Sequence, residues 1–406
     1  MRMGTRTLAV CAVVCVQAAT AAAQGRTVTL AEVLARVREQ APQIVSARLA
    51  LEEARGRLLG ASVRSQANPE IDASLGNRNG TGVRYTDLQL GLGQSFEPGA
   101  RRSARIDGAN AAIAQSSANI DEVTRTVLRL AASAYYRAVH ANDRIRLLIA
   151  TQEVAQGVYA TADRRFKAGD IALLDVNIAR ASLGRVRAER EGAEASKALA
   201  LGELRQLLRL EPDVGVEGSL VRPADADLNA ALQSAHLRPE LRGLEAAIQE
   251  AEAEFRLGLS FSKPEYGLGV RYSREEGDQI ITGGMTVTLP TFSKGQEQRA
   301  VGSARAARLR AELDAAQARV QSEVRAAFEA YDHRLAAVRV LEAEAISGLD
   351  ENEQLTTRSF EVGQLGLPDL LQIRRAIFET RSEYLAALLE AALARIDLDA
   401  SAGVLR

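Results

Sequence analysis

The residues able to do chemistry are few. The chain holds three histidines, His140, His236 and His333, and two cysteines, Cys11 and Cys15. His140 and His333 lie 193 residues apart in similar helical settings, and two imidazoles on separate helices make no metal site without further ligands. His236 sits just before Pro239, at the approach to a helix. Gly91-Leu92-Gly93 and Gly267-Leu268-Gly269 lack the third glycine and the strand-to-helix setting of a phosphate loop. No HExxH, GxSxG or Walker pattern occurs. The expectation is therefore no enzyme, no cofactor and no resident metal.

Both cysteines lie in an N-terminal segment that reads as a secretory leader over residues 1–23. Arg2 and Arg6 supply a positive start, Leu8–Val16 an apolar core, and Ala21-Ala22-Ala23 a small-residue cleavage site, placing the cut before Gln24. The apolar core is far shorter than the roughly 20 residues a membrane-spanning helix needs. Valine, not a small residue, precedes each cysteine, so lipidation is not expected. The exported chain then has no thiol for disulfides or thiolate metal sites.

The remaining composition points to long helices. Of 406 residues, 47% are hydrophobic and 25% charged, only 4% are aromatic, and tryptophan is absent. Net charge is −1, from 51 basic and 52 acidic residues, so no global basic field exists to bind nucleic acid. Charge spread this evenly also excludes a polytopic helical membrane protein.

The prolines show an internal repeat. Pro42 matches Pro239, Pro69 matches Pro264, and Pro98 matches Pro290, at separations of 197, 195 and 192 residues. Phe166-Lys167-Ala168-Gly169-Asp170 matches Phe360-Glu361-Val362-Gly363-Gln364 at 194. This is a tandem duplication, with one repeat over 24–210, a joining segment over 211–230 carrying one short strand, and a second repeat over 231–403.

Each repeat is expected to hold the same elements. A helix from Leu30 to about Gln66, or from about Asp225 or Pro239 to Leu257, precedes two alternating stretches. These fall at about 70–78 and 83–95 in the first copy and about 265–274 and 279–289 in the second, each pair joined by a short Gly-containing turn. A proline-free long helix follows, at about 99–166 and 292–361, with apolar residues at steps of three and four. At about 1.5 Å per residue the first would reach ~100 Å. Turns at Gly169 and Gly363 then reverse the chain into return helices at about 172–210 and 368–398.

Leu88, Leu90 and Leu92 share one strand face, and Gln89, Gly91 and Gly93 the other. Such alternation fits a soluble hairpin or a strand between lipid and an aqueous lumen, and the export signal and the repeat favour the second. Four strands cannot close a barrel, and open edges are not tolerated in hydrocarbon. Several chains must then share one barrel; two would give eight strands with a largely filled interior, and three would give twelve and leave a lumen.

With this layout the chain resembles the TolC-type outer-membrane efflux proteins over residues 27–403. The local marks are Asn68-Pro69-Glu70, Gln94-Ser95-Phe96-Glu97-Pro98-Gly99-Ala100-Arg101-Arg102, Ala134-Tyr135-Tyr136 and the two glycine turns. The strand-to-helix passage is most similar to the heavy-metal branch, the partners of cobalt–zinc–cadmium exporters. That branch has a pattern closer to Gln-x-Phe-Glu-x-Gly-Gly-Lys-Arg, from which Pro98 and Ala100-Arg101 depart.

The resemblance implies a mainly α fold with a transmembrane β part, as a homotrimer with a twelve-stranded β-barrel in outer-membrane lipid and an α-helical barrel in the periplasm. It implies a passive duct for metal cations or other toxic small molecules, coupled to a periplasmic adaptor and an inner-membrane RND-type pump. The adaptor would dock at the tip turns through Phe166, Gly169, Asp170, Phe360, Gly363 and Gln364, and Asp175, Asp369, Gln372 and Arg375 would form a periplasmic gate. The alternative is a periplasmic adaptor, or a structural coiled-coil protein of a transport assembly. An adaptor would carry one helical hairpin between halves of a β domain rather than two tandem copies.

Overall fold

The computed structural model describes residues 27–79, 82, 84–208 and 214–405. The leader over 1–23 with both cysteines, Gly80, Thr81 and Val83 of the first hairpin turn, and residues 209–213 lie outside the described residues. The chain forms two compact units. One holds the described residues up to Val45, Val123–Ala235, and those from Gln321 onward; the other holds Ser46–Glu122 and His236–Val320.

In the first unit, a two-residue strand β1 (Thr27–Val28) leads into α1 (Leu30–Gln40). The helix starts at a capping box: the Thr29 hydroxyl accepts the Glu32 N–H, and the Glu32 carboxylate accepts the Thr29 N–H at 2.9 Å. α2 (Pro42–Ser62) follows at once. The single helix expected from Leu30 to about Gln66 is thus two. Ala41 is extended at ψ 126°, because the proline ring disfavours helical backbone in the residue before it and Pro42 instead takes the first position of the next helix.

The long α3 (Gly99–Lys167) and its return helix α4 (Leu173–Leu208) begin the coiled frame. Val33 and Val37 of α1, Leu128 and Tyr135 of α3, and Leu204 and Leu208 of α4 pack into one core. The joining segment contributes Val214, Val216 and Leu220 to it. Here β4 (Gly215–Val216) pairs in parallel with β1. The partner of β4 was not foreseen, since two residues carry no periodicity.

Two tyrosines at matching repeat positions hold the joining segment. Tyr135 donates its hydroxyl to the Glu217 carbonyl, and Tyr331 donates its own to the Ala224 carbonyl. Asp143, buried, accepts the Leu220 N–H at 2.8 Å. Tyr135→Phe removes the hydroxyl donor to the Glu217 carbonyl, a loss of about 1–3 kcal/mol, whereas the Ala224 carbonyl keeps Arg395 as a donor at 3.1 Å, so Tyr331→Phe should cost less. A lowered urea midpoint of the helical circular dichroism is the expected result; unchanged midpoints in both variants would mean the clamp carries no stability.

After α5 (Leu228–Ala235) and α6 (Pro239–Ser260), the second long helix differs from expectation. Lack of proline predicts a single run over about 292–361. It is instead α7 (Gln296–Val340), a π-helical turn (Leu341–Ile346), and α8 (Leu349–Glu361). Ser347 leaves helical geometry at ψ 80°, and Gly348 takes φ 128°. A Ser-Gly pair beside a π turn interrupts a helix as effectively as proline. α9 (Leu367–Ser401) is the second return helix, with Pro368 in its first turn.

The second unit contains the sheet, formed by β2 (Glu70–Asn79), β3 (Arg84–Phe96), β5 (Glu265–Glu275) and β6 (Asp278–Thr288). The order is β2-β3-β5-β6, antiparallel throughout. β3 and β5 pair across the repeat, so the two hairpins make one sheet. In the same unit, Ala247 and Ala251 of α6 pack on Ala306 and Leu309 of α7. Among the described residues no helix is long and apolar enough to cross a membrane.

Candidate functional site

Two features of the chain have functional geometry: the sheet in one unit and the paired glycine turns in the other. In an antiparallel sheet, directly paired residues share a face. Ile71 pairs with Leu92, Ala73 with Leu90 and Leu75 with Leu88. Across the next junctions Leu92 meets Val270, Phe96 meets Tyr266, Leu268 meets Met285 and Tyr272 meets Ile281. One face is therefore largely apolar, interrupted by Gln94 beside Leu268 and by Asn77, Arg84, Arg274 and Gln279 towards the hairpin ends, yet Ile71 is 79% exposed and Ile281 77%. The opposite face carries Asp72, Ser74, Gln89, Gly91, Gly93, Gly267, Gly269, Arg271, Ser273, Thr282 and Thr286, with Tyr85 and Ile280 its exceptions. Both edge strands, β2 and β6, are exposed along their whole length. An exposed apolar face bounded by two unpaired edges is unstable in water and calls for a cover over the face and for partners along the edges.

The strand-to-helix passage after β3 is locked by ion pairs that sequence reading did not assign. Glu97 binds Arg105 through both carboxylate oxygens, with the two side chains only 9% and 16% exposed. Arg101 pairs with Glu265 at the start of β5 and lies over the Phe261 ring, 4.4 Å from its centroid. Arg102 donates to the Ser62 carbonyl at the end of α2 at 2.8 Å. The arginines of this motif thus tie a strand end to two helices. A glutamate followed at eight residues by arginine, across a proline and a glycine, was the available signal.

The glycine turns are built alike. At the end of α3, Asp170 N–H donates to the Arg165 carbonyl and Gly169 N–H to the Phe166 carbonyl, both at 2.9 Å. At the end of α8, Gln364 N–H donates to the Ser359 carbonyl at 2.9 Å and Gly363 N–H to the Phe360 carbonyl at 3.2 Å. Both are Schellman motifs, which need a left-handed residue at the glycine; Gly169 has φ 82° and Gly363 φ 77°. The two turns meet in one cluster: Val158, Ala162 and Val176 of the first repeat pack with Leu367 and Leu370 of the second, flanked by Ile171 and Phe360. Arg165 lies over the Phe360 ring, 5.1 Å from its centroid. This cross-repeat cation–π contact was missed because neither turn alone shows it. Phe166, Gly169, Asp170, Gly363 and Gln364 are exposed, as are Leu174 at 68% and Val362 at 69%.

Asp175 and Asp369 hold the same place, the third residue of α4 and α9. There a carboxylate suits the positive end of the helix dipole, and Asp175 accepts the Ala172 N–H at 3.3 Å. Gln372 is exposed, and Arg375 is exposed with Glu379 beside it at 2.6 Å.

His236 and His333 are exposed, whereas His140 is half-buried. Desolvation, joined by Arg144, pulls the His140 imidazole below its ordinary 6.5 against the opposing pull of Asp143 and Glu390. The fold therefore favours the neutral ring, so the contribution is full above about 6.5 and fades as pH falls below it. His140→Gln should flatten the loss of urea stability between about pH 7.5 and about pH 5.5; a loss as steep as in the parent would exclude this histidine as its source. Among the described residues no group of three or more His, Cys, Asp or Glu is placed to hold a metal ion.

A four-stranded sheet with one largely apolar and one largely polar face, in a chain that also carries a duplicated helical frame, is the fold of outer-membrane efflux channels. The Campylobacter jejuni CmeC outer membrane channel shares it at TM-score 0.75 and 16% identity, over 92% of this chain and 85% of that one. Residues 33–208 match the outer membrane efflux protein family, so the first repeat carries a domain of that family. The resemblance read from the sequence is borne out. Protein CyaE of Bordetella pertussis is 26% identical over 63% of this chain, and the match spans 59% of CyaE, under two thirds of its length. The cobalt-zinc-cadmium resistance protein CzcC of Cupriavidus metallidurans is 23% identical over 79% of this chain and 77% of CzcC.

Proposed function

We propose that this protein is the outer-membrane exit duct of a tripartite efflux system. Three chains pair the open edges of β2 and β6 into one twelve-stranded barrel, with the apolar face against lipid and the polar face around a water-filled lumen. The observation that carries this reading is the four-stranded sheet itself, whose exposed apolar face and unpaired edges have no stable place in a lone soluble chain. The helical frame extends into the periplasm, and the chain reaches the membrane through its N-terminal leader. The duct does no chemistry; an inner-membrane pump of the RND type drives the transport.

The glycine turns are the adaptor's docking site. Their exposed Phe166 and Val362, with Leu174 beside them, offer apolar anchors to a helical hairpin. Asp369, Gln372 and Arg375 lie within two turns of α9 just past that site and close the tube between neighbouring chains. Asp175 contributes through its helix start. The kinship with CzcC makes cobalt, zinc and cadmium the first cargo to test. A deletion strain should become sensitive to these cations and regain resistance with the intact gene. Sensitivity to hydrophobic dyes but not to metals would move the cargo to drugs. A protein found in the soluble periplasm would favour the adaptor or structural reading instead.

A further inference from the structure

On the polar face of the sheet one row of residues runs Asp72, Gly91, Arg271, Thr282 across all four strands. Asp72 does not project away from its own strand. Its carboxylate occupies the place that a Cβ on Gly91 would take, and its Oδ2 comes to 3.9 Å of an Arg271 guanidinium nitrogen on the strand beyond. Gly91 is thus the gap through which an acidic side chain on β2 reaches a basic one on β5. The two groups are 61% and 58% exposed, so they face open space rather than a packed core.

The rest of the face gives this pair its meaning. Its described strand residues include six acids, Glu70, Asp72, Asp87, Glu265, Glu275 and Asp278, against two bases, Arg78 and Arg271, with Glu265 also answered by Arg101 at the start of α3. Arg78 is occupied at the hairpin end by Asp87 at 3.0 Å and by Glu276 at 2.7 Å. Arg271 is therefore the cation of this face that lies away from the hairpin ends. Left alone, it would place a positive charge in an otherwise acidic passage.

We infer that Asp72 and Arg271 are the residues that determine ion preference in the lumen: Asp72, admitted by Gly91, cancels Arg271 and keeps the passage favourable to cations along its length. The inference rests on the trimeric barrel proposed above, in which the pair recurs three times at one level. Removing Asp72 would leave a ring of three uncompensated guanidinium groups. Removing Arg271 would leave three free carboxylates.

The test is the reversal potential of the purified full-length protein in planar lipid bilayers under a potassium chloride gradient. The salt should be low, because the screening length grows from about 10 Å at 0.1 M to about 30 Å at 0.01 M, enough to span a wide lumen. The parent should prefer potassium. Asp72→Asn should lower the potassium-to-chloride permeability ratio, on the order of twofold or more at low salt and less at high salt. Arg271→Gln should raise it, and the double variant should return towards the parent. Gly91→Val, which denies Asp72 its path, should move the ratio in the same direction as Asp72→Asn. Conductance in each variant is its own proof of assembly. Conducting variants with unchanged ratios, or single variants that shift in the same direction, would overturn the pair and leave the barrel standing. A protein that conducts neither as the parent nor with its periplasmic gate weakened by Asp369→Ala would overturn both.

Discussion

Glu97→Ala will sharply reduce the amount of assembled protein. The substitution leaves the Arg105 guanidinium, 16% exposed, without its bidentate partner at the point where β3 passes into α3. Removing one member of a buried pair costs about 3–5 kcal/mol, because the remaining charge stays desolvated. Partial exposure of Arg105 places this site near the lower end of that range. The passage also fixes the start of the long helix relative to the sheet within one unit, so the defect should appear as failed assembly, measured by the yield of oligomer on mild-detergent gels. A charge-free pair of similar volume, Glu97→Leu with Arg105→Met, should recover most of the yield, since apolar packing replaces buried ion pairs at little cost. Full assembly of Glu97→Ala alone would mean that the pair is incidental to the passage.

The second large effect is expected at the glycine turns. Gly169 and Gly363 adopt left-handed backbone, and a Cβ at either would meet nothing within 4 Å. Any loss on substitution must therefore come from the backbone, not from crowding within the chain. Valine at these positions costs roughly 2 kcal/mol from the left-handed geometry alone and also endangers the turn's two hydrogen bonds. Gly363→Val and Gly169→Val should abolish efflux while leaving oligomers intact, because the sheet lies in the other unit. Asparagine tolerates left-handed backbone, so Gly363→Asn should retain most of the activity that valine removes. Equal loss in the two variants would show that the surface there, rather than the turn, is what matters. Normal efflux in the valine variants would count against docking at this end.

The elements with strong periodicity were the ones legible in the sequence. Leu88, Leu90 and Leu92 alternating with Gln89, Gly91 and Gly93 announce a two-faced strand, and the proline matches reveal that the second hairpin repeats it. The pairing of β3 with β5 is a tertiary choice that neither copy encodes alone. The break in the second long helix is hidden for another reason: a lack of proline does not guarantee an unbroken helix, since Ser347-Gly348 and the π turn before it interrupt it as well. For the candidate site, the glycines of the turns could be read directly, because a reversing helix needs a residue free to go left-handed. Arg165 on Phe360, and Asp72 reaching Arg271, could not be read. These are contacts between copies of a repeat whose charges differ, visible only when the fold brings the copies together.

The central claim is that several copies of this chain share one barrel in the outer membrane. Its most direct test is the mass of the protein extracted in mild detergent from that membrane, with the detergent contribution removed. The account predicts three chains in one particle. A single chain, or protein that never enters the membrane fraction, would contradict it, since the edges of β2 and β6 would then have no partner.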